Sequence, residues 1–207
     1  MHYDVVFFDF DGTLVDSASA KRKAFFDLFP DTEGHVQIVG KVLDADPDGS
    51  RYVVIPRMAE AMRQAGLAVP DKGKIGSLIR RYGESSLHTV SRAPEMPGAT
   101  RLLNALSKRS VTLYLCSNTP HDAIVHLVKA RSWGRFFEDI AGHPTRKIDF
   151  VRRHIKRKEV SVDRVAFVGD GVSDEQAAAR SGIRFFSVQQ RHDLEKISVE
   201  MQITVHV

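Results

Sequence analysis

The sequence predicts an α/β protein: a doubly wound parallel sheet with an inserted helical domain. Three observations carry that prediction. Short, near-continuous apolar runs recur along the chain, as strands covered on both faces require. Helical patterns alternate with the later runs, which implies right-handed βαβ units and a parallel sheet. Between the first two runs, about ninety residues of helical pattern intervene, far beyond an ordinary connection.

The first strand is expected at 5–8, "VVFF", and it ends in acid: "DFDGTLVDS" supplies Asp9, Asp11 and Asp16 in quick succession. Asp16 and Ser17 read as the N-cap of the helix that follows. The insertion spans 18–92, leaving 1–17 and 93–207 as the α/β core. Three apolar faces recur in the insertion at helical spacing: Ala24, Phe25, Leu28 and Phe29; Met58, Ala61, Met62 and Ala65; Ile75, Leu78, Ile79 and Tyr82. Gly66, Pro70, Gly73, Pro94 and Pro97 punctuate them.

The core resumes with predicted strands at 111–115, 137–141, 165–168 and 184–188. Helical patterns at 99–106, 122–130, 149–155 and 174–181 lie between or before them. In the run "VRRHIKRKE", Phe150, Val151, His154 and Ile155 recur at helical spacing, so Arg152, Arg153, Lys156 and Arg157 form a solvated face rather than a nucleic-acid patch. The tail alternates: Val199, Met201, Ile203, Val205 and Val207 are separated by other residues, which predicts a half-exposed edge strand open to pairing.

Composition narrows the class. The chain has 207 residues, 43% of them hydrophobic, enough to build a core in one large domain or a domain with an insertion. A net charge of +4 is compatible with anionic substrates and gives no reason to invoke nucleic acid. No apolar stretch reaches the roughly 20 residues that span a bilayer, and Asp4, Asp9 and Asp11 interrupt any signal-peptide layout, so a cytoplasmic protein without a membrane partner is expected. The single cysteine, Cys116, excludes an intrachain disulfide or a cysteine-only metal site, and its place at the end of an apolar run marks it as buried and inert. The nine histidines show no HExxH or paired-ligand spacing and are expected on the surface or in loops.

In parallel sheets ligands bind beyond the carboxyl ends of the strands. The expected strand ends bring Asp9 and Asp11 from the first strand, then Ser117, Asn118 and Thr119 in "LCSNTP". Further along come Lys147 in "GHPTRKIDF", and Asp170 and Asp174 in "GDGVSD". Carboxylates gathered at one place repel unless a cation offsets them, and an all-oxygen site suits Mg²⁺. A lysine and small donors beside them suit a phosphoryl group. No G-x-S-x-G elbow surrounds Ser117, and neither a Walker sequence nor a GxGxxG turn is present.

In their order and spacing, "DFDGT", "LCSN", Lys147 and "GDGVSD" resemble the four motifs of the haloacid dehalogenase (HAD) superfamily. The helical insertion after the first motif resembles that superfamily's cap. The resemblance implies a Rossmann-like core and a phosphatase acting on a small phosphorylated metabolite. It implies that Asp9 is the nucleophile, forming an aspartyl-phosphate, and that Asp11 is the acid/base. Mg²⁺ would be held by the Asp9 side chain, the Asp11 backbone carbonyl and Asp170. Phosphate would be held by Ser117, Asn118 and Lys147. Thr13 would fix the loop around Asp11, and Asp174 would orient metal-bound water or Lys147.

Other readings remain. "DPDGSRYVVI" places Gly49, Ser50 and Arg51 where the superfamily's sugar phosphomutases carry a substrate loop, although "GDGVSD" is the form common among the phosphatases. In either enzyme Arg51 is a candidate contact for the non-reacting part of the substrate, and Tyr52 beside it reads as packing. A dehalogenase is disfavoured by Asp11, and a retired binding module by the survival of Asp9, Asp11, Lys147 and Asp170.

Overall fold

The computed structural model describes residues 2–71 and 74–202. The chain divides into two compact units, one formed by 1–16 with 93–207 and the other by 17–92.

The first unit contains a sheet of five parallel strands in the order β3-β2-β1-β4-β5. They are β1 (Val5–Phe8), β2 (Thr112–Pro120), β3 (Phe137–His143), β4 (Val165–Gly169) and β5 (Arg184–Ser187). This is the doubly wound arrangement, with β1 at its centre. All four residues of β1 are buried, because neighbouring strands flank both edges and helices cover both faces. Alternation sends Val5 and Phe7 to one face, where they pack with Tyr114, Phe150, Val151, Phe167 and Ala178. Phe7 stacks on Tyr114 with ring centroids 5.1 Å apart. The helices of this unit are α5 (Ala99–Lys108), α6 (His121–Ala130), α7 (Lys147–Lys158), α8 (Val172–Ser181) and α9 (Asp193–Glu200). Helix α7 packs on α8, and α5 on α9.

The second unit is helical among its described residues: α1 (Ala18–Phe26), α2 (Glu33–Ala45), α3 (Arg51–Gln64) and α4 (Ile75–Arg92). Its own core gathers Phe25, Leu28, Phe29, Val39, Leu43, Val54, Met58, Met62, Leu78 and Tyr82. None of the described helices is long and apolar enough to cross a membrane.

Several sequence expectations are corrected here. Helix α2 was not foreseen; Gly34 and Gly40 break its apolar rhythm, and packing against α3 supplies what propensity does not. Ala65 is exposed at the end of α3, whose inward face is Val54, Ile55, Met58, Ala59 and Met62. Tyr52 is exposed. Strand β2 runs to Pro120, five residues past its expected end, because its irregular last part still pairs with β3 at Cys116–Ala141 and Pro120–His143. The tail is no strand where it is described: Val199 lies in α9 and faces solvent, while Met201 turns inward. Ile203, Val205 and Val207 lie outside the described residues. Ser17 does occupy the N-cap of α1, but its side chain makes no capping hydrogen bond.

Two of the described histidines, His35 and His154, are buried rather than on the surface or in loops. His35 lies between the Thr32 hydroxyl and the Ala68 carbonyl, 2.7 Å and 2.9 Å away. His154 packs on Tyr114 and Phe150, with Nε2 3.0 Å from Asp139 Oδ2. The basic residues of α7 at 152, 153, 156 and 157 are exposed.

Candidate active site

The carboxyl ends of β1 and β4 lie side by side, and the Asp9 amide donates to the Val168 carbonyl at 3.0 Å, carrying the ladder one step past the strand. This places a carboxylate at the edge of a buried sheet, and Asp9 is only 7% exposed. Lys147, the first residue of α7, reaches the same point. Its Nζ donates to Asp174 Oδ1 at 2.6 Å and lies 3.1 Å from Asp9 Oδ1. That second approach lacks hydrogen-bond alignment, so Asp9 Oδ1 is a buried acceptor without an aligned donor.

Helix α8 fixes Asp174. Its other oxygen accepts the Gly171 amide at 3.0 Å, a capping contact at the helix start. Gly169 lets it come so close to the strand that a Cβ there would stand 2.5 Å from its carboxyl carbon. Asp170 is held from two sides: Thr13 donates its hydroxyl to Oδ1 at 2.8 Å, and Gln189 Nε2 donates to the backbone carbonyl at 3.1 Å. Gly12 is required here for two reasons. Its φ of +79° disfavours any side chain, and a Cβ would stand 2.1 Å from Asp170 Oδ2.

Asp9, Asp170 and Asp174 each present a carboxylate oxygen, all within 4.8 Å of one another. Two buried acids and a half-buried one beside one lysine are electrostatically unbalanced, and their proton affinities report it. Burial, then the Asp9 charge, pushes Asp170 up to about 8 and Asp174 up to about 7. Asp9 is raised too, by burial against the opposing pull of Lys147. Burial works against the Lys147 ammonium, but Asp9 and Asp174 outweigh it and hold the proton on more firmly than usual. Cys116, buried behind the site, is pushed well up by desolvation, which disfavours its thiolate. The donor set is all hard oxygen with an excess of negative charge and one acceptor to spare, so it fits a small divalent cation.

The remaining candidates form a second group at the end of β2. Asp11 Oδ2 accepts the Thr119 hydroxyl at 2.8 Å. Ser117 Oγ accepts the Thr119 amide at 3.1 Å, and Asn118 Nδ2 reaches Ser173 Oγ at 3.4 Å. The three-carboxylate group includes Asp174 and not the Asp11 side chain, whose charge is nonetheless felt at Asp9. Arg51 belongs to the helical unit, where its guanidinium lies 4.6 Å from the centre of the Tyr82 ring; Ser50 caps the same helix. Sequence reasoning missed two residues that brace the site. Thr119 was visible in "LCSNTP" only as a strand-end hydroxyl. Gln189 carried no signal beyond its place after the fifth strand.

A family model of haloacid dehalogenase-like hydrolases matches residues 3–182. Among curated proteins the chain is similar to a phosphoglycolate phosphatase of Pseudomonas syringae pv. tomato, 29% identical over 189 residues, covering 86% of this chain and 66% of the relative. It thus spans just under two thirds of that relative's length. Among solved structures it is similar in fold to the HAD-hydrolase YfnB from Bacillus subtilis bound to magnesium, with a TM-score of 0.73 at 18% identity, covering 98% of this chain and 100% of that one. A second is CbbY from Rhodobacter sphaeroides in complex with phosphate, with a TM-score of 0.65 at 19% identity, covering 88% of this chain and 84% of that one.

Proposed function

Because the chain belongs to the haloacid dehalogenase-like hydrolases, we propose that it is a Mg²⁺-dependent phosphatase that hydrolyses a small phosphorylated metabolite through an aspartyl-phosphate on Asp9. The observation that carries this reading is the buried Asp9 carboxylate, held beside Lys147 and facing Asp170 and Asp174. The phosphoglycolate phosphatases among its relatives make a small phosphorylated acid the first substrate to try.

In this reading an Asp9 oxygen attacks phosphorus, and the bond from phosphorus to the leaving oxygen breaks. Asp11 gives that oxygen a proton, then removes one from the water that attacks the aspartyl-phosphate, releasing inorganic phosphate and restoring the carboxylate. The Lys147 ammonium, Ser117 and Asn118 hold the phosphoryl oxygens. Ser117 Oγ accepts the Thr119 amide, which leaves its hydroxyl hydrogen to donate to a phosphoryl oxygen. Mg²⁺ held by Asp9, Asp170 and the Asp11 carbonyl would offset the charge that builds on those oxygens. Asp174 orients Lys147, and Thr13 orients Asp170.

The helical unit, 17–92, is the cap in this proposal, with Arg51 as its candidate for substrate discrimination. No observation favours the mutase reading over the phosphatase one; the contacts described for Ser50 and Arg51, a helix cap and a ring contact, fit either. The test is phosphate release from phosphoglycolate and 4-nitrophenyl phosphate. Turnover should require Mg²⁺, vanish in EDTA, and be lost in Asp9→Asn while circular dichroism is unchanged. Full turnover in EDTA, or more than about a few per cent activity in Asp9→Asn, rejects the mechanism.

A further inference from the structure

Thr119 is 5% exposed, and two of its contacts reach candidate site residues. Its hydroxyl donates to Asp11 Oδ2 at 2.8 Å, and its amide donates to Ser117 Oγ at 3.1 Å. Its backbone is pinned from the far side by β3, where Gly142 comes so near that a Cβ would stand 2.5 Å from the Thr119 carbonyl oxygen. A fixed backbone, a hydroxyl donated to Asp11 and a buried setting make this residue a rigid bracket rather than a loop threonine.

We propose that Thr119 is a positioning residue for the leaving-group step, holding Asp11 by one oxygen so that the other faces the departing ester oxygen. The inference rests on the phosphatase reading above and adds the means by which its acid/base is aimed. A hydroxyl suits this task because its donated hydrogen bond fits both states of Asp11. When the carboxyl carries its proton on Oδ1, Oδ2 is carbonyl-like and accepts; when the proton has gone to the leaving oxygen, Oδ2 still accepts. Asp11 need not rotate between giving a proton and taking the next from water, which avoids reorganisation at the moment of reaction. The amide contact to Ser117 is made by the backbone, so a side-chain substitution separates the two roles.

The experiment compares wild type with Thr119→Val, which keeps the shape and removes the donor, and with Thr119→Ser, which keeps the donor. An alkyl phosphate needs its leaving oxygen protonated and 4-nitrophenyl phosphate hardly does. In Thr119→Val, kcat/KM for the alkyl ester should fall about tenfold or more, while the nitrophenyl ester loses no more than about threefold. Inhibition by inorganic phosphate should be unchanged, and Thr119→Ser should restore the alkyl reaction. Equal losses for both esters, weakened phosphate inhibition, or no loss at all overturns the proposal. If Thr119→Val does not fold, Thr119→Ala is read by the same criteria. A wild-type enzyme that turns over neither ester, although folded and supplied with Mg²⁺, overturns the phosphatase reading itself. A leaving-group-independent loss in an active enzyme overturns only the role of Thr119.

Discussion

Lys147 donates to Asp174 at 2.6 Å with both side chains shut away from water, 6% and 0% exposed as residues. An ion pair so placed contributes less to net stability than to keeping its neighbours tolerable, since desolvation offsets much of the attraction. Its real partner is the whole group of acids, because the same ammonium also lies 3.1 Å from Asp9.

Lys147→Met should therefore cost about 3–5 kcal/mol in the metal-free protein, the usual penalty for stranding buried charge. Urea denaturation in EDTA measures it, and phosphate release should be lost alongside. The loss should be greater at pH 8 than at pH 6.5, since at lower pH the stranded carboxyls can take up protons. A cost below about 1 kcal/mol would mean that the site admits water freely.

The raised acids also set the response to pH. The folded values of Asp170 and Asp174, about 8 and about 7, lie above the ordinary 3.8, so over that range the folded state keeps protons the unfolded state has released. Stability without metal should then fall as pH rises toward 8. His154 acts in the opposite sense: burial lowers its pKa from 6.5, so it costs stability only as pH falls below that value. The window from 6.5 to 8 thus isolates the acids. Melting temperatures in EDTA should decline across it, and Mg²⁺ should flatten or reverse the decline. A metal-free melting temperature that rises over the window counts against the acid cluster.

Gly12→Ala separates backbone strain from damage to the site. Its φ of +79° penalises alanine, and the new Cβ would meet Asp170 Oδ2 at 2.1 Å. Gly182 shares the strain with a φ of +68° but has open space around it. Both variants should lose about 1–3 kcal/mol from the backbone. Only Gly12→Ala should also weaken Mg²⁺ binding, by about tenfold or more, as calorimetry would show. Equal Mg²⁺ affinity in the two variants would mean that Asp170 can move aside.

What the sequence disclosed follows from what each side chain had to do alone. A strand buried on both faces must be apolar almost throughout, so β1 and β4 could be read residue by residue. Asp9 and Asp170 stood out because they directly follow buried strands, and Lys147 and Asp174 because they fall in the segments just after β3 and β4, in an order that a turn or cap reading of any one of them does not explain. Helix α2 was hidden because its stability comes from α3, which local pattern does not record. Val199 mimicked an edge strand since an exposed valine on a helix and an outward valine on a strand look alike. Thr119 was illegible as a bracket for a different reason. Its reach to Asp11 depends on the irregular register by which β2 continues past Cys116, and register is a property of two strands.

The placement of β1 has a consequence for how this molecule comes into being. Val5 begins a strand that leaves the ribosome well before its partners, since its neighbours in the sheet are Thr112 on one side and Val165 on the other. The nascent chain must carry an unpaired, wholly apolar strand through the synthesis of all of 17–92 before one edge can be satisfied. The second edge waits until β4 has emerged. At about 5–20 residues per second that exposure lasts several seconds or longer, time in which "VVFF" is available to other chains and to chaperones. The residues that follow bear on this hazard, since Asp9 and Asp11 charge the end of the strand and oppose its stacking with copies of itself.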